Sequence, residues 1–198
     1  MSAPSTEIGT PEGPGAPPRD PTRGGEPPRG LLAQLAEDFR TYDRNPLEPG
    51  FWAVSVHRFG RWAEGLRSPA VKRPMGAAHR ALATATDWLW GIQIPASVRL
   101  GRRVRIWHHG CFWLAARAIG DDVHIRQNTT LGAVTGRGDD PAGWPTIGDR
   151  VQLGSGACVL GNVTVGSDSF VGANTVVLRS FPPRSRVMGV PGRPIPGG

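Results

Sequence analysis

The sequence predicts a mainly β protein, built as a parallel β-helix with a short helical cap in front of it. Between residues 147 and 181 an aliphatic residue opens every six-residue unit, and a small or β-branched residue fills the fifth place. This period matches neither the turn of a helix nor an open-ended alternation. It fits short strands joined by tight corners, with the opening aliphatic residues stacked from coil to coil inside a shaft. Gly, Asn and Asp at the corners supply the positive φ angles that β-branched residues resist.

The first part of the chain predicts a tail and a helical cap. Residues 1–29 are rich in Pro, Gly, Ser and charge, and we expect them to be disordered. Apolar residues at helical spacing then predict three helices, over residues 30–42, 51–66 and 71–90. Pro74 should interrupt the third helix early, and His57 is expected to be a packing residue. The cap, residues 30–91, is expected to cover one open end of the solenoid.

The repeat begins earlier than its most regular stretch and occupies residues 92–190. Its opening positions are six apart at first, slip by one residue, and then resume, giving the series Ile94, Leu100, Ile106, Phe112, Ile119, Ile125 and Leu131. The Gly-, Pro- and Asp-rich residues 133–146 break the period and predict a loop thrown out from the shaft. Loops on a rigid scaffold often carry function. Residues 191–198 form a C-terminal tail.

Composition restricts the possible partners and compartments. The 198 residues fit one domain, and the net charge of +7 is carried almost wholly by arginine. The arginines are scattered and not interleaved with aromatic residues, so we expect no nucleic-acid partner. No apolar run reaches the ~18 residues of a membrane span, which predicts a soluble, cytoplasmic protein without a membrane partner. Cys111 and Cys158 form no CxxC pattern, so neither a disulfide nor a metal site is indicated.

Several short segments occur in the order typical of one enzyme family, the hexapeptide-repeat acyltransferases. They are Arg-Asn-Pro at 44–46, His-Arg-Phe-Gly-Arg-Trp at 57–62, Ile-Trp-His at 106–108, Ile-Arg-Gln-Asn-Thr-Thr-Leu-Gly at 125–132, Pro-Thr-Ile-Gly-Asp at 145–149 and Gly-Val-Pro at 189–191. Within that family the chain most resembles the serine O-acetyltransferases, over about residues 40–195. The resemblance implies a single-stranded left-handed β-helix, a homotrimer, and active sites in grooves between subunits. It also implies acetyl transfer from acetyl-CoA to L-serine, a step of cysteine biosynthesis.

The resemblance assigns site residues and also shows departures. His108 matches the general base of the family, whereas Trp107 stands in place of the acidic residue beside it. Gln93 occupies the position of the acidic partner that orients the base. Asn45 replaces an aspartate that helps hold serine, and Trp144 replaces a second histidine, so Asn45, Trp107 and Trp144 are the candidate acceptor-binding residues. The tryptophans either stack on the solenoid surface or wall a pocket for a larger, less charged acceptor, such as a sugar or modified amino acid.

Acetyl-CoA is expected as a co-substrate, with no permanently bound cofactor. The resemblance places it in a groove between coils, where the small residues Gly132, Ser155 and Ala173 would let the pantetheine arm approach the backbone. Arg193 would meet its phosphates, since a guanidinium fork suits phosphate oxygens; the alternative for an arginine at this place is a merely solvated charge. The carboxyl-terminal isoleucine that docks on the sulfhydrylase partner in the family is absent, so no complex with cysteine synthase is expected.

Other classes of protein fit the sequence less well. A γ-type carbonic anhydrase shares the solenoid but needs three zinc histidines, and His108, His109 and His124 lack the expected spacing. A sugar-nucleotide-linked enzyme would need a further nucleotide-binding domain. A non-catalytic solenoid scaffold stays open and predicts no thioester cleavage with any acceptor.

Overall fold

The structure is a computed structural model that describes residues 30–134 and 141–196. The predicted tail, residues 1–29, lies outside the described residues, as does the middle of the predicted loop. Within the described part, no helix combines the length and apolar character needed to cross a membrane.

Three helices form the cap, in the predicted places. They are α1 (Leu31–Thr41), α2 (Pro49–Glu64) and α3 (Pro69–Trp90). A proline begins both α2 and α3, where its missing N–H and fixed φ suit the first helical turn. Gly91, with a φ of 65°, ends α3 in the left-handed conformation typical of a helix C-terminus. Pro74 lies in the second turn of α3 and does not interrupt it, contrary to prediction.

Short strands make up the rest of the described chain. They are β1 (Ile92–Gln93), β2 (Arg99–Leu100), β3 (Arg105–Ile106), β4 (Phe112–Leu114), β5 (Ala118–Ile119), β6 (His124–Ile125), β7 (Thr130–Gly132), β8 (Thr146–Ile147), β9 (Gln152–Leu153), β10 (Cys158–Leu160), β11 (Thr164–Val165), β12 (Phe170–Val171), β13 (Val176–Val177), β14 (Arg186–Met188) and β15 (Arg193–Pro194). A short 3₁₀ turn, Pro141–Gly143, precedes β8.

The strands form three parallel sheets, and successive strands pass from one sheet to the next. Wall A has the order β1-β4-β7-β10-β13, wall B has β2-β5-β8-β11, and wall C has β3-β6-β9-β12-β14 with β15 antiparallel at its end. The inward residues of wall C are at most 1% exposed and stack in the order Ile106, Ile125, Leu153, Val171 and Val187. The predicted parallel β-helix with its helical cap is thus confirmed.

The repeat frame differs from the prediction in its second coil. Phe112 pairs with Ile92, whereas Leu114 pairs with Leu131 and takes the inward opening position. Phe112 is therefore not the opening residue of its unit. The cause is the preceding corner, where His108 at φ 66° and Gly110 at φ 140° lengthen the path between walls C and A. A sequence period cannot show such an extra bend, because inward residues on both sides of it are apolar.

The corner between walls B and C carries a ladder of alternating charge. One residue per coil there has a positive φ, and in chain order these are Arg103, Asp122, Arg150, Asp168 and Arg184. Ion pairs of 2.6 Å join Arg103 to Asp122 and Arg150 to Asp168. Part of the arginine content is therefore structural.

A buried ion pair fixes the cap to the first coil. Arg58 of α2 donates to Asp38 of α1 at 3.0 Å and to the carbonyl oxygens of Leu100 and Gly101 at 2.7 and 2.5 Å. Asp38 is 1% exposed, and burial raises the pKa of its carboxyl group although the charge of Arg58 lowers it. Arg58 thus connects both helices to the solenoid.

Candidate functional site

His108 lies on an outward corner between walls C and A. It follows β3, has a φ of 66°, and its side chain is exposed, as is that of His109. Two backbone hydrogen bonds seat this corner on the end of α3: Gly110 N–H donates to the Trp90 carbonyl at 3.0 Å, and Phe112 N–H to that of Gly91 at 2.7 Å. A non-glycine residue at positive φ is strained, and such residues persist where the surroundings fix them. The imidazole of His108 is therefore presented to solvent and not to the shaft interior.

Trp107, next to His108, is half-buried and held on two sides. Its indole N–H donates to Nδ1 of His124 at 3.0 Å. The guanidinium of Arg105 lies 4.1 Å from the centre of the indole ring, in the geometry of a cation–π contact. Arg105 in turn donates to the Thr41 carbonyl at 2.9 Å and pairs with Asp43 at 2.7 Å. The indole is thus fixed to the end of the cap.

Gln93 lies on wall A and does not hold His108. It pairs in register with Trp113, and it lines a cavity of about 310 Å³ between α2, α3 and the first coil. The hydrogen bonds of the described residues include none between Gln93 and His108. His57 lines the same cavity and is 2% exposed, which confirms the predicted packing role. Burial, together with the charges of the neighbouring Arg58 and Arg61, lowers the pKa of His57 to about 3.

Asn45 and Trp144, the other two candidate acceptor-binding residues, lie in different environments. Asn45 is exposed, and its side-chain oxygen accepts from the Leu47 N–H at 3.0 Å, which closes a local turn after α1. Trp144 is 3% exposed and belongs to the hydrophobic core cluster. The alternative of a surface-stacked Trp144 is therefore wrong, because its side chain is buried in this cluster.

The small residues expected to bind acetyl-CoA lie at two different edges of wall A. Ser155 and Ala173 lie in adjacent coils at the corner between walls C and A, where the Asn174 N–H donates to the Ser155 carbonyl at 2.8 Å. Gly132 lies at the opposite edge, opposite Leu160 in register. The structure therefore does not bring these three small residues into a single groove.

A cleft at the C-terminal end of the solenoid contains Arg193. It has a volume of about 310 Å³ and is lined by Leu178, Arg179, Pro191, Gly192 and Arg193. Leu178 follows β13 at the same edge of wall A as Gly132. The second guanidinium, Arg179, was not predicted from the sequence, because its distance from Arg193 depends on how the chain folds back after β14.

Sequence reasoning also missed His124 and Arg105 as neighbours of Trp107. Their contact follows from the register of wall C, in which Arg105 lies opposite His124. A clue existed in the spacing, since equivalent residues of these two coils are 19 positions apart. Among the residues that the structure describes, no group of three or more His, Cys, Asp or Glu side chains is arranged to hold a metal ion.

Comparison with known proteins places this architecture in a class. Residues 145–179 match the family model described as bacterial transferase hexapeptide (six repeats). Together with the three parallel walls and the outward histidine, this match defines a hexapeptide-repeat transferase.

The relatives narrow the class further. The serine acetyltransferase of Mycobacterium tuberculosis is 40% identical over 159 residues, which cover 76% of this chain and 65% of the relative. That of Synechococcus elongatus is 36% identical over 177 residues, covering 83% and 69%. Soybean serine acetyltransferase, solved in complex with serine, has a TM-score of 0.69 at 28% identity, covering 83% of this chain and 69% of that one. The chain spans about two thirds of the length of these relatives. It belongs to the serine acetyltransferase family, as the sequence resemblance predicted.

Proposed function

We propose that this protein transfers the acetyl group of acetyl-CoA to the hydroxyl group of L-serine, forming O-acetylserine and CoA. The observation that carries the proposal is the exposed imidazole of His108 on a fixed, outward corner of a chain that belongs to the serine acetyltransferase family. The binding of serine by the soybean relative supports serine as the acceptor.

In this mechanism His108 is the general base. It removes the hydroxyl proton as the serine oxygen attacks the thioester carbonyl, and the resulting tetrahedral intermediate collapses with loss of the CoA thiolate. The imidazolium then returns the proton to the thiolate, so no net proton is gained or lost. Imidazole suits this task because it ordinarily titrates near neutral pH, and a positioned base typically contributes about 10² to 10⁴-fold to the rate.

The donor binds along the edge of wall A that carries Gly132. The cleft with Arg179 and Arg193 lies at the end of this edge, and two guanidinium groups suit the phosphates of CoA. Because His108, Ser155 and Ala173 lie at the other edge of wall A, the base of one copy meets the donor in a groove that the Gly132 edge of a neighbouring copy completes. We therefore retain the homotrimer, with left-handed winding of each shaft, as part of the proposal.

The decisive assay measures free-thiol release from acetyl-CoA in the presence of L-serine. Turnover at rates typical of enzymes, about 1 to 10³ per second, supports the proposal. Absence of release with L-serine and with every other acceptor contradicts it and leaves the solenoid as a scaffold.

A second candidate is O-acetyl transfer to a sugar hydroxyl or to a modified amino acid. It is favoured by Trp107, whose fixed indole provides an apolar surface at the residue before the base. A carboxylate at this position would instead attract a charged ammonium group. A panel of sugars and N-blocked serine in the same assay separates the two candidates. A higher kcat/KM for an uncharged acceptor than for L-serine selects the second.

A further inference from the structure

We infer that His124 is a positioning residue that holds Trp107 as one wall of the acceptor site beside His108. The inference rests on the proposed acyl transfer and adds the group that shapes its acceptor side. His124 is half-buried on β6, in the coil next to the one that carries Trp107.

The hydrogen bond between them fixes the tautomer of His124. An indole N–H is a donor only, so Nδ1 of His124 must present a lone pair to it, at the observed distance of 3.0 Å. A neutral imidazole with a lone pair on Nδ1 carries its proton on Nε2. An imidazolium carries protons on both nitrogens and cannot accept this bond.

Two further contacts make the indole a rigid wall. Arg105 covers one face of the ring at 4.1 Å, and it is itself anchored to the Thr41 carbonyl and to Asp43. The rings of Trp107 and His124 are tilted by 34°, with centres 5.7 Å apart. Because face and edge are both held, the indole of Trp107, the residue before His108, keeps one orientation, and a fixed wall positions an acceptor more effectively than a mobile one.

Two residues flank His124 in wall C. Arg105 lies opposite it in wall C on one side, and the uncharged Gln152 lies opposite it on the other. The carboxylate of Asp43 pairs with Arg105 and is mostly exposed. Protonation of His124 would remove the acceptor for the indole N–H, so lowering the pH should release Trp107.

Two substitutions separate positioning from a merely structural role. His124→Asn keeps an acceptor oxygen near the place of Nδ1 but does not titrate, whereas His124→Phe keeps a flat ring without an acceptor. Gln152→Met, one coil further along the wall, is the matched control. Each ¹⁵N-labelled full chain is followed by the indole N–H resonance of Trp107, which is identified by its loss in Trp107→Phe.

The expected result has two parts. The Trp107 indole N–H resonance shifts with pH in the unmodified protein and does not shift with pH in His124→Asn. In His124→Phe it moves to the chemical shift of an indole N–H that is exposed to solvent. The KM for the acceptor rises on the order of 10-fold in His124→Phe, equivalent to one hydrogen bond, with kcat little changed, and recovers in His124→Asn. The inference is overturned if the Trp107 indole resonance changes neither with pH nor in His124→Phe, or if the KM for the acceptor is unchanged in His124→Phe. If no acceptor is acetylated at all, the proposed function fails, and the resonance alone then decides whether His124 holds the indole.

Discussion

Replacing Arg58 with methionine tests how the cap is held on the solenoid. The side chain makes contacts of 3.0 and 3.5 Å with Asp38 and donates to two carbonyl oxygens of the first coil. Arg58→Met preserves much of the apolar stem but leaves a carboxylate that is 1% exposed without its partner. Breaking a buried pair from one side typically costs about 3 to 5 kcal/mol. That is a large part of the total stability of roughly 5 to 15 kcal/mol expected of a domain.

The assay is urea unfolding at a fixed protein concentration, followed by circular dichroism of the helices and by tryptophan fluorescence. Arg61→Met is the matched control in the same helix, because Arg61 and Glu64 form an exposed pair, 48% and 50% accessible. Arg61→Met should lower the free energy of unfolding by at most about 1 kcal/mol. The double variant with Asp38→Leu should recover most of the loss, since it removes the unpaired charge.

The cost of Arg58→Met should also depend on pH. Burial already holds the pKa of Asp38 above its ordinary value, and removing Arg58 takes away the charge that opposes this. A group with a raised folded-state pKa favours folding below that pKa and costs stability above it. The difference between variant and unmodified protein should therefore shrink as the pH falls from neutrality towards about 4. A loss below about 1 kcal/mol at neutral pH, or a loss that does not change with pH, would refute the reasoning.

Three further predictions follow from the fold. Folding lowers the pKa of His57 to about 3, so the unfolded chain takes up this proton at a higher pH than the folded one. The free energy of unfolding should therefore fall by about 1.4 kcal/mol per pH unit as the pH drops from the ordinary pKa of histidine towards the folded value. In urea titrations, His57→Phe should flatten this acid-side decrease. Gly148→Ala should destabilise the shaft by more than about 2 kcal/mol, because an added Cβ would lie 2.6 Å from the backbone of the next coil. Gly76→Ala on α3, where the nearest atom would be 3.8 Å away, should be neutral or stabilising by up to about 1 kcal/mol. The melting temperatures of the two variants, compared with that of the unmodified protein, test this. A double-mutant cycle on Arg103 and Asp122, 12% and 15% exposed, should give a coupling above the ~1 kcal/mol of exposed pairs and persist at high salt.

Each of these has a clear contrary outcome. An acid-side decrease unchanged by His57→Phe would mean that other groups titrate there. Equal melting temperatures for the two glycine variants would mean that the coils adjust to a methyl group. A coupling near zero would mean that the charges of the corner ladder act independently.

Much of the fold could be predicted because the solenoid repeats one physical constraint. An aliphatic residue must point inward once per wall, so the period survives in the sequence wherever the corners have equal length. It failed at Phe112, where a longer corner moves the inward position to Leu114. The helices were predicted to within about two residues because their apolar faces pack against one side.

The site could be predicted only in part. An exposed position for His108 follows from its place at a corner, but the contact between Trp107 and His124 depends on the stacking of two coils. The burial of Trp144 depends on tertiary packing, and an aromatic residue beside a loop fits the core and the surface equally well. The alternating signs of the corner residues were visible in the sequence, yet their meaning appears only when the coils are stacked.

The most direct test of the proposed chemistry is thiol release from acetyl-CoA with L-serine by His108→Ala and by His109→Ala. Both histidines are exposed neighbours on one corner, so each variant controls for the other. We expect kcat to fall by about 10² or more in His108→Ala, to recover partly when free imidazole is added, and to stay nearly unchanged in His109→Ala. Equal rates in the two variants would contradict the role of His108 as the base.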